Sequence, residues 1–352
     1  MKLSIKTNPG YDVIVDYSAL ESFDSHLSSF NKNQLFVLCF SSNLEAQSKE
    51  LNIFLKKKGY NIKLLRIMDG EKEKGIDNVK YIIQELVNFE ANRSTVLIAF
   101  GGGSVGDIVG FVSSIYMRGI QYINIPTTLL SMVDSSLGGK TAVNYLGIKN
   151  IIGSFYQPSM VCMDPNMLST LSRKDVRSGI GEIIKYGMIY KCSIIDKLKK
   201  NYNCIIQLKN KDLILDIIFK CCLIKKQFIE SDERDLEARN ILNFGHTLGH
   251  LIESKYQFEG ISHGEAVING IHLAIELSYL KKLMSLEVYS KLKDICEILN
   301  INYNYKLEVD DIDNIKYDKK QSSNRYRFIL LTNIGEPIIC DDISKDDILS
   351  II

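Results

Sequence analysis

The sequence has no long apolar run, almost no net charge and no closely spaced cysteine pair. No apolar run approaches the length of a membrane span and the chain does not start with an apolar signal segment, so we expect a cytoplasmic protein without a membrane partner. The formal net charge of +1 and the scattered basic residues disfavour nucleic acid as a partner. The eight cysteines form no C-x-x-C motif, which is typical of reduced thiols in the cytosol.

Proline is scarce and unevenly distributed, because four of the five prolines precede residue 166 and the last is Pro337. In the first part of the chain, short β-branched runs alternate with helical patterns, which favours a parallel sheet with helices on both faces. The predicted strands are Leu35–Phe40, Ile62–Met68, Thr95–Phe100 and Gln121–Ile125, with helices over Glu45–Gly59 and up to about Phe89.

The proline-free stretch carries apolar residues at helical spacing, so we predict a mainly helical region with one hairpin around Phe328–Leu331 and Pro337–Cys340. We place the boundary near Arg173. The expected fold is a Rossmann-like α/β nucleotide-binding domain over residues 1–173 and a mainly α-helical metal-binding domain over residues 174–352. A glycine-rich turn indicates the nucleotide site, and a histidine cluster indicates the metal site.

The glycine-rich turn is Gly101-Gly-Gly-Ser104-Val-Gly106-Asp107, between a predicted strand and a helical pattern. Glycines in this position let the backbone approach a phosphate at a helix N-terminus. The spacing differs from G-x-G-x-x-G, so we predict a variant pyrophosphate site; the alternative is a tight turn that needs glycine for packing alone. Glu71 and Lys74 follow the preceding strand, where we expect a ribose or adenine contact.

Histidine is also scarce, and three of the five histidines lie in two short segments, Asn240–His250 and Ser262–Glu265. His246 and His250 are four residues apart, which places both on one face of a helix. Arg239 and Asn243 continue this stripe at helical spacing. We interpret the stripe as the lining of a polar pocket; the alternative is a solvated helix side.

A divalent metal would need a third ligand beside the histidines, and Glu182 is the candidate because it lies in an apolar helical run. Two histidines and one carboxylate make an open zinc site. From spacing alone, His246 and His250 could both be ligands. Ser262 and Glu265 predict a capping box that would orient His263. Alternatively, Glu182 forms an ordinary helix salt bridge with Lys185.

The segment from Ile125 to Thr141 begins at a strand end and combines glycine with polar residues, as does the following Lys149-Asn150. This composition indicates either a surface loop or a site for a hydroxylated, anionic ligand. Scattered cations would add positive charge to such a site: Lys185, Lys225, Arg239 and Lys319-Lys320.

Taken together, these motifs resemble those of the 3-dehydroquinate synthases, a family of sugar-phosphate cyclases. The resemblance covers nearly the whole length and is densest from Gly101 to His263. Its specific motifs are Gly101–Asp107, Met117-Arg-Gly119, Pro126–Leu130, Val133–Thr141, Gly181–Lys185 and Arg239–His246.

The resemblance implies an N-terminal NAD-binding α/β domain, a C-terminal helical metal domain and an active site in the cleft between them. The implied substrate is 3-deoxy-D-arabino-heptulosonate 7-phosphate, which is converted to 3-dehydroquinate and phosphate in the shikimate pathway. Bound NAD takes a hydride at C5, phosphate is eliminated, the hydride returns, and ring opening and aldol closure follow. The implied metal is Zn²⁺, with Co²⁺ possible, and it polarises the hydroxyl that is oxidised. The net reaction is that of a lyase.

The resemblance also assigns roles to individual residues. The implied metal ligands are Glu182, His246 and His263, so His250 becomes a substrate or proton-relay residue. The implied catalytic residues are His250, Lys140, Lys185, Asp134 and Asn150. The implied substrate contacts are Arg118, Lys225, Arg239, Asn243 and Lys320, with Lys319 as an alternative to Lys320. The implied cofactor contacts are Glu71, Lys74, Gly103, Ser104, Val105, Asp107, Thr127, Thr128, Lys140, Lys149 and Thr170. Arg118 matches a phosphate contact that the second subunit supplies in this family, which implies a homodimer.

The chain departs from the family pattern in two places. Ser41-Ser42-Asn43 stands where the family commonly has an acidic residue for the adenosine ribose, which puts NAD affinity in question. Gly181 replaces the usual alanine, and we expect this change to matter little. Three other functions stay open: a sibling cyclase such as a 2-deoxy-scyllo-inosose synthase, a polyol or glycerol-phosphate dehydrogenase, and a catalytically silent homologue.

Overall fold

The computed structural model describes residues 1–256, 260–298, 305, 307–312 and 325–352. Contacts divide the chain into two compact units, Met1–Thr170 with Lys225–Arg234, and Leu171–Ile224 with Asp235–Ile352. The sequence suggests a single boundary at residue 173; the structure in addition groups Lys225–Arg234 with the first unit. Within the described ranges, every helix is too short or too polar to span a bilayer.

The first unit contains a seven-stranded sheet and a separate hairpin. The strands are β1 Lys2–Ile5, β2 Tyr11–Val15, β3 Leu35–Ser41, β4 Asn61–Ile67, β5 Val96–Gly101, β6 Tyr122–Pro126, β7 Lys140–Tyr145, β8 Ile148–Phe155 and β9 Met160–Met163. The helices are α1 Phe23–His26, α2 Glu45–Lys57, α3 Ile76–Asn88 and α4 Gly103–Ile115. The sheet order is β1-β2-β9-β6-β5-β3-β4, and β7 pairs with β8.

The sheet is parallel except at its edge, where β1 runs antiparallel to β2. The four strands predicted from sequence are confirmed as β3, β4, β5 and β6. β3 and β5 lie side by side, and the chain leaves them in opposite directions, towards β4 and towards β6. In open α/β sheets such a switch point leaves a crevice outside the carboxyl ends of the strands, where ligands bind. The glycine-rich turn follows β5 directly at this position.

The core of the first unit explains why its strands were predictable. Val37, Leu97 and Ala99 on the central strands are fully buried and pack with Ile108 and Val112 of α4. Strands that are covered on both faces are read as continuous apolar runs. The antiparallel β7–β8 hairpin, which has exposed positions along both strands, was not predicted as strands from the sequence.

The second unit is mainly helical, as predicted. Its helices are α5 Arg173–Ile189, α6 Ile194–Ile206, the first part of α7 Lys211–Ser231, α8 His246–Lys255, α9 His263–Leu280, α10 Leu286–Glu297, α11 Val309–Ile312 and α12 Lys345–Leu349. The predicted hairpin is confirmed as β10 Arg325–Asn333 and β11 Glu336–Ser344, in which Phe328 pairs with Cys340.

Helix α9 packs closely on both α5 and α8 through glycines. A Cβ atom at Gly181 of α5 would lie 2.5 Å from the backbone oxygen of Gly264 on α9. A Cβ atom at Gly270 of α9 would lie 1.9 Å from the backbone oxygen of Gly245, which precedes α8. Contrary to the sequence-based expectation that glycine at 181 matters little, no side chain fits there unless a backbone shifts.

Candidate metal and cofactor sites

Glu182, His246 and His263 converge in the second unit. Oε1 of the fully buried Glu182 lies 3.4 Å from Nε2 of His246 and 3.4 Å from Nε2 of His263. Zinc–nitrogen and zinc–oxygen bonds of about 2.0–2.1 Å separate neighbouring ligand atoms of a tetrahedral site by about 3.4 Å. The three residues therefore fit a zinc-type ion, and their donor set leaves a coordination position for substrate.

The close helix contacts position these three side chains. Each one is adjacent to a glycine at a helix crossing: Glu182 follows Gly181, His246 follows Gly245, and His263 precedes Gly264. The direction of His263 is further set by the start of α9, where Ser262 and Glu265 form the predicted capping box. Each donor thus lies on a rigid helix, as precise metal coordination requires.

Lys185 lies one turn after Glu182 on α5 and forms a buried ion pair with its Oε2. The salt bridge expected from the sequence is confirmed, and the metal-ligand interpretation of Glu182 stays a prediction that is compatible with it, because one oxygen contacts the lysine and the other faces the histidines. Burial, with the positive charge of Lys185, lowers the pKa of His246 to about 3, so this imidazole is neutral and able to bind a metal. Burial lowers the pKa of His263 too, but hydrogen bonds with Glu182 and Glu253 outweigh it and raise the pKa to about 10.

His250 lies one turn after His246 on α8, and their ring centroids are 5.4 Å apart. It also groups with Glu253 and His263 as three residues whose ligand atoms lie within 4.8 Å of one another. His263 is shared between the two groups. The neighbouring carboxylates and imidazoles make His250 a candidate to exchange protons beside the metal position.

The expectation of one continuous helical stripe through Arg239, Asn243, His246 and His250 is wrong. Arg239 and Asn243 lie in a short 3₁₀ segment, Ala238–Asn243, and α8 begins only at His246. Gly245 between them has φ +78°, which ends one segment and redirects the next. This change of direction at Gly245 allows the backbone to come close to Gly270 of α9. Arg239 is 2% exposed, so its cationic side chain is a buried component of this unit.

A second cluster lies in the first unit around Lys74. Lys74 is buried, and its Nζ lies 2.5 Å from Oδ2 of Asp107 and 2.5 Å from Oδ1 of Asn150. Burial lowers the pKa of Lys74, but the charges of Asp107 and Glu71 outweigh it and raise the pKa, so the ammonium is fully charged at neutral pH. Nζ of Lys149 lies 3.9 Å from Glu71. Five predicted ligand-contact residues are thus brought together.

The glycine-rich turn has the predicted strand–turn–helix context, since β5 ends at Gly101 and α4 begins at Gly103, with Ser104 and Val105 in its first turn. Packing requires glycine at position 101, where an added Cβ atom would lie 2.7 Å from Cβ of Val105, whereas at position 103 its close contact would be the Ser135 hydroxyl at 2.8 Å. The backbone N–H of Thr127 donates to Gly101 O at 2.9 Å, and Thr128 contacts Ser131 beside it. A phosphate contact at this helix start stays a prediction.

The other predicted residues fall into separate places. Lys225 is buried, and its Nζ donates to Asp134 Oδ1 at 2.7 Å. Lys140 shares a cavity of about 340 Å³ with Asp107 and Asn150. Arg118 and Thr170 are exposed, and Arg118 lies beyond the C-terminal end of α4, the end opposite to the glycine-rich turn. Lys319 and Lys320 lie outside the described residues.

Two contact residues were missed from the sequence. The side-chain amide of Asn144 donates to Glu71 Oε1 at 2.9 Å and accepts from the backbone N–H of Asn150 at 2.9 Å. Oε1 of Glu253, which is 4% exposed, lies 3.3 Å from His263 Nδ1. Glu253 follows Leu251 and Ile252 but precedes Ser254 and Lys255, so its sequence surroundings are less apolar than those of Glu182.

Comparison with known proteins places this geometry in a family context. The family model "3-dehydroquinate synthase N-terminal" matches residues 64–178, and "3-dehydroquinate synthase C-terminal" matches residues 179–321. A 3-dehydroquinate synthase from Clostridium beijerinckii is 38% identical over 335 residues, which cover 93% of each chain.

Two solved structures share the fold. A 2-deoxy-scyllo-inosose synthase in complex with carbaglucose-6-phosphate, NAD⁺ and Co²⁺ superposes with a TM-score of 0.89 at 24% identity and covers 100% of both chains. A 2-epi-5-epi-valiolone synthase from Streptomyces hygroscopicus with NAD⁺ and Zn²⁺ has a TM-score of 0.87 at 23% identity, covering 97% of this chain and 95% of its own. With both family models and a close full-length relative in agreement, the chain belongs to the 3-dehydroquinate synthase family.

Proposed function

We propose that this chain converts 3-deoxy-D-arabino-heptulosonate 7-phosphate into 3-dehydroquinate and phosphate, as a lyase that depends on NAD and a divalent metal. The observation that carries the metal dependence is the convergence of Glu182 Oε1 with Nε2 of His246 and His263 at 3.4 Å each. When bound, NAD supplies reversible hydride acceptance and Zn²⁺ or Co²⁺ supplies a Lewis acid for the hydroxyl that is oxidised. Two cyclases of this fold were solved with NAD⁺ and with Co²⁺ or Zn²⁺, which supports this choice of cofactors.

The residues of this chain then bind and orient the substrate. We assign the phosphate and hydroxyl contacts to Lys140, Asn150 and Lys225, with Asp134 held by Lys225 at 2.7 Å. Arg239 and Asn243 are further substrate contacts, as is Lys320. Lys185, paired with Glu182, offsets the cost of burying a carboxylate charge at the metal position. His250 moves protons between substrate and solvent, since it lies beside the metal ligands without being needed among them.

We assign the NAD site to the carboxyl ends of β3 and β5. Glu71, Lys74, Asp107 and Lys149 surround one another there and include both charge signs, which suits ribose hydroxyls and a pyrophosphate. The start of α4 favours an anion because unpaired N–H groups point outwards from it. The remaining proposed contacts are Gly103, Ser104, Val105, Thr127, Thr128, Lys140 and Thr170. Ser41, which ends β3, leaves the adenosine ribose without a carboxylate from this strand.

We also propose a homodimer. Five apolar side chains of the β7–β8 hairpin are exposed: Tyr145, Leu146, Ile148, Ile151 and Phe155. An exposed apolar patch of this kind is typical of a protein interface. Arg118 lies next to this hairpin, because Tyr156 Oη, just after β8, donates to the backbone oxygen of Ile120 at 2.9 Å. An interface there would place Arg118 beside a second copy of the chain.

Cytoplasmic location is a further proposal. The eight cysteines are thiols outside disulfides, and five of them are buried. Proteins of oxidising compartments commonly pair such residues as disulfides. The reduced thiols therefore favour a reducing compartment.

A phosphate-release assay tests the proposed reaction. The purified protein with NAD and zinc should release phosphate from the heptulosonate phosphate, without accumulating NADH, and a chelator should stop the release. Glucose 6-phosphate, the natural counterpart of the carbaglucose-6-phosphate held by the inosose synthase, should give no product. Turnover of glucose 6-phosphate instead would indicate the sibling cyclase, net NADH formation would indicate a dehydrogenase, and no reaction with any of these would indicate a silent homologue.

A further inference from the structure

Glu253 is a buried carboxylate to which none of the roles proposed above is assigned. It follows Leu251 and Ile252 on α8 and is 4% exposed. An ionised carboxylate in such surroundings is costly unless hydrogen bonds and opposite charge compensate for its burial. Its Oε1 lies 3.3 Å from Nδ1 of His263, on the side of the ring opposite to Nε2.

The two histidines that face Glu182 have different partners on their other ring nitrogen. Nδ1 of His246 lies 3.2 Å from the backbone oxygen of Phe244, whereas Nδ1 of His263 faces the Glu253 carboxylate. A carbonyl oxygen and a carboxylate both only accept hydrogen bonds, so each Nδ1 carries the proton. A metal ion at Nε2 would replace any proton there and leave each ring neutral, with its remaining proton on Nδ1.

We propose that Glu253 is a positioning residue for the metal site, which acts through His263 by accepting a hydrogen bond from its Nδ1–H. This inference rests on the proposed metal-dependent function. The carboxylate fixes the orientation of the ring and the tautomer that exposes Nε2. Its negative charge also makes the imidazole a stronger donor than a backbone carbonyl would, as outer partners of metal-bound histidines do. His263 is thus the more strongly supported of the two histidine ligands.

The other grouping, in which His250, Glu253 and His263 hold the metal, fits the contacts less well. Glu182 Oε1 is 3.4 Å from both His246 Nε2 and His263 Nε2, a spacing that matches a tetrahedral site. Glu253 reaches His263 at Nδ1 at hydrogen-bond distance. This contact is made on Nδ1, so it leaves Nε2 of His263 to face Glu182, on the nitrogen where the Glu182 and His246 group converges.

Zinc affinity of the variants Glu253→Gln and Glu253→Met tests this role. Each protein is stripped of metal, its thermal unfolding is recorded, and Zn²⁺ binding is measured by competition with a chromophoric chelator. We expect a weakening of about 10-fold for Glu253→Gln, which keeps an acceptor oxygen, and of about 100-fold for Glu253→Met, which removes it. The Co²⁺ absorption spectrum should shift in both, since it reports the geometry and donor strength of the ligands.

Glu276→Gln is the matched control. It removes a carboxylate thirteen residues after His263 on the same helix, α9, where its Oε1 accepts from the hydroxyl of Tyr289 at 2.6 Å. We expect a lower unfolding temperature with unchanged zinc affinity and Co²⁺ spectrum. Glutamine is nearly isosteric with glutamate, so we expect Glu253→Gln to fold. This variant decides the test if Glu253→Met fails to fold.

Three results would overturn the inference. Native zinc affinity in Glu253→Gln and Glu253→Met would show that the carboxylate does not support the ligand. A stoichiometric metal ion retained by His246→Ala and lost by Glu253→Gln would make Glu253 a direct ligand. If the unsubstituted protein bound no divalent metal, the proposed metal-dependent function would fail together with this role, whereas the first two results leave that function intact.

Discussion

Lys185 and Glu182, three residues apart on α5, form an ion pair in which both side chains are at most 2% exposed. The same spacing on α3 joins Lys80 to Asp77, but there both side chains are more than two thirds exposed. The two pairs have the same chemistry and local geometry and differ in burial. Comparing the two pairs therefore shows how burial changes the contribution of a carboxylate–lysine pair to the free energy of unfolding.

We predict that Lys185→Met lowers the free energy of unfolding of the metal-free protein by about 3–5 kcal/mol, because it leaves the Glu182 carboxylate buried without its cation. Lys80→Met should change it by about 0.5 kcal/mol or less. Urea unfolding of both variants measures the difference. Adding Glu182→Gln to Lys185→Met should recover part of the loss; an equal loss in the double variant would contradict this explanation.

We predict that His250→Ala retains about one metal ion per chain, whereas His246→Ala and His263→Ala lose it. The reason is the convergence of His246 and His263 on a single oxygen of Glu182, in which His250 takes no part. Elemental analysis of the purified variants measures metal content. Phosphate release should be lost in all three, since His250 is proposed to move protons. Metal loss in His250→Ala with retention in His246→Ala would assign the ligands to the other grouping.

Local signals in the sequence were sufficient to single out the candidate residues of the metal site, whereas only the family resemblance chose His263 over His250, and the ligand set stays a prediction. Scarce histidines crowded into two segments and an acidic residue in an apolar run are visible without any tertiary contact. The parallel strands β3 to β6 were predictable for the same reason, since strands buried on both faces are short apolar runs. The capping box of α9 likewise involves only Ser262 and Glu265.

The wrong and missing predictions all involve contacts between residues that are far apart in the sequence. Helical spacing continued through Arg239 and Asn243, but Gly245 adopts a left-handed conformation so that Gly270 of α9 can approach it. Nothing in the local pattern shows that approach. Glu253 was overlooked because its partner, His263, lies on another helix, and the β7–β8 hairpin was interpreted only as a polar site segment.

The helix crossing gives a further prediction, that Gly181→Ala weakens both folding and metal binding. The added Cβ would lie 2.5 Å from the backbone oxygen of Gly264, so α5 and α9 must separate. Overpacking of this kind costs about 1–3 kcal/mol, and the separation moves Glu182 away from His263. Urea unfolding and zinc competition measure the two effects. Gly75→Ala, where a Cβ atom meets nothing within 4 Å, is the control for stability. Native zinc affinity in Gly181→Ala would show that the helices adjust without moving the ligands.

The cofactor side of the proposal is tested by Asn144→Ala. This change removes the amide that holds Glu71 and the backbone of Asn150, at 2.9 Å each. Hydrogen bonds to charged groups contribute about 1.5–3 kcal/mol, so NAD affinity should fall by about tenfold or more. Calorimetric titration of NAD into the protein measures it, with the exposed Asn88→Ala as control. Unchanged NAD affinity would place the cofactor away from this cluster.

The dimer proposal predicts complementation between two inactive proteins. Arg118 lies beyond the far end of α4 and is proposed to act on the site of the other copy. A hybrid of Arg118→Ala and His263→Ala subunits then contains one complete site, with its metal ligands from one chain and Arg118 from the other. Purified through two different tags, this hybrid should recover about half of the native activity. A hybrid of His246→Ala and His263→Ala subunits should stay inactive, because each site lacks a ligand from its own chain. Both hybrids must first be shown to be dimers. If neither then recovers activity, Arg118 acts within its own subunit, and the proposed shared site is contradicted.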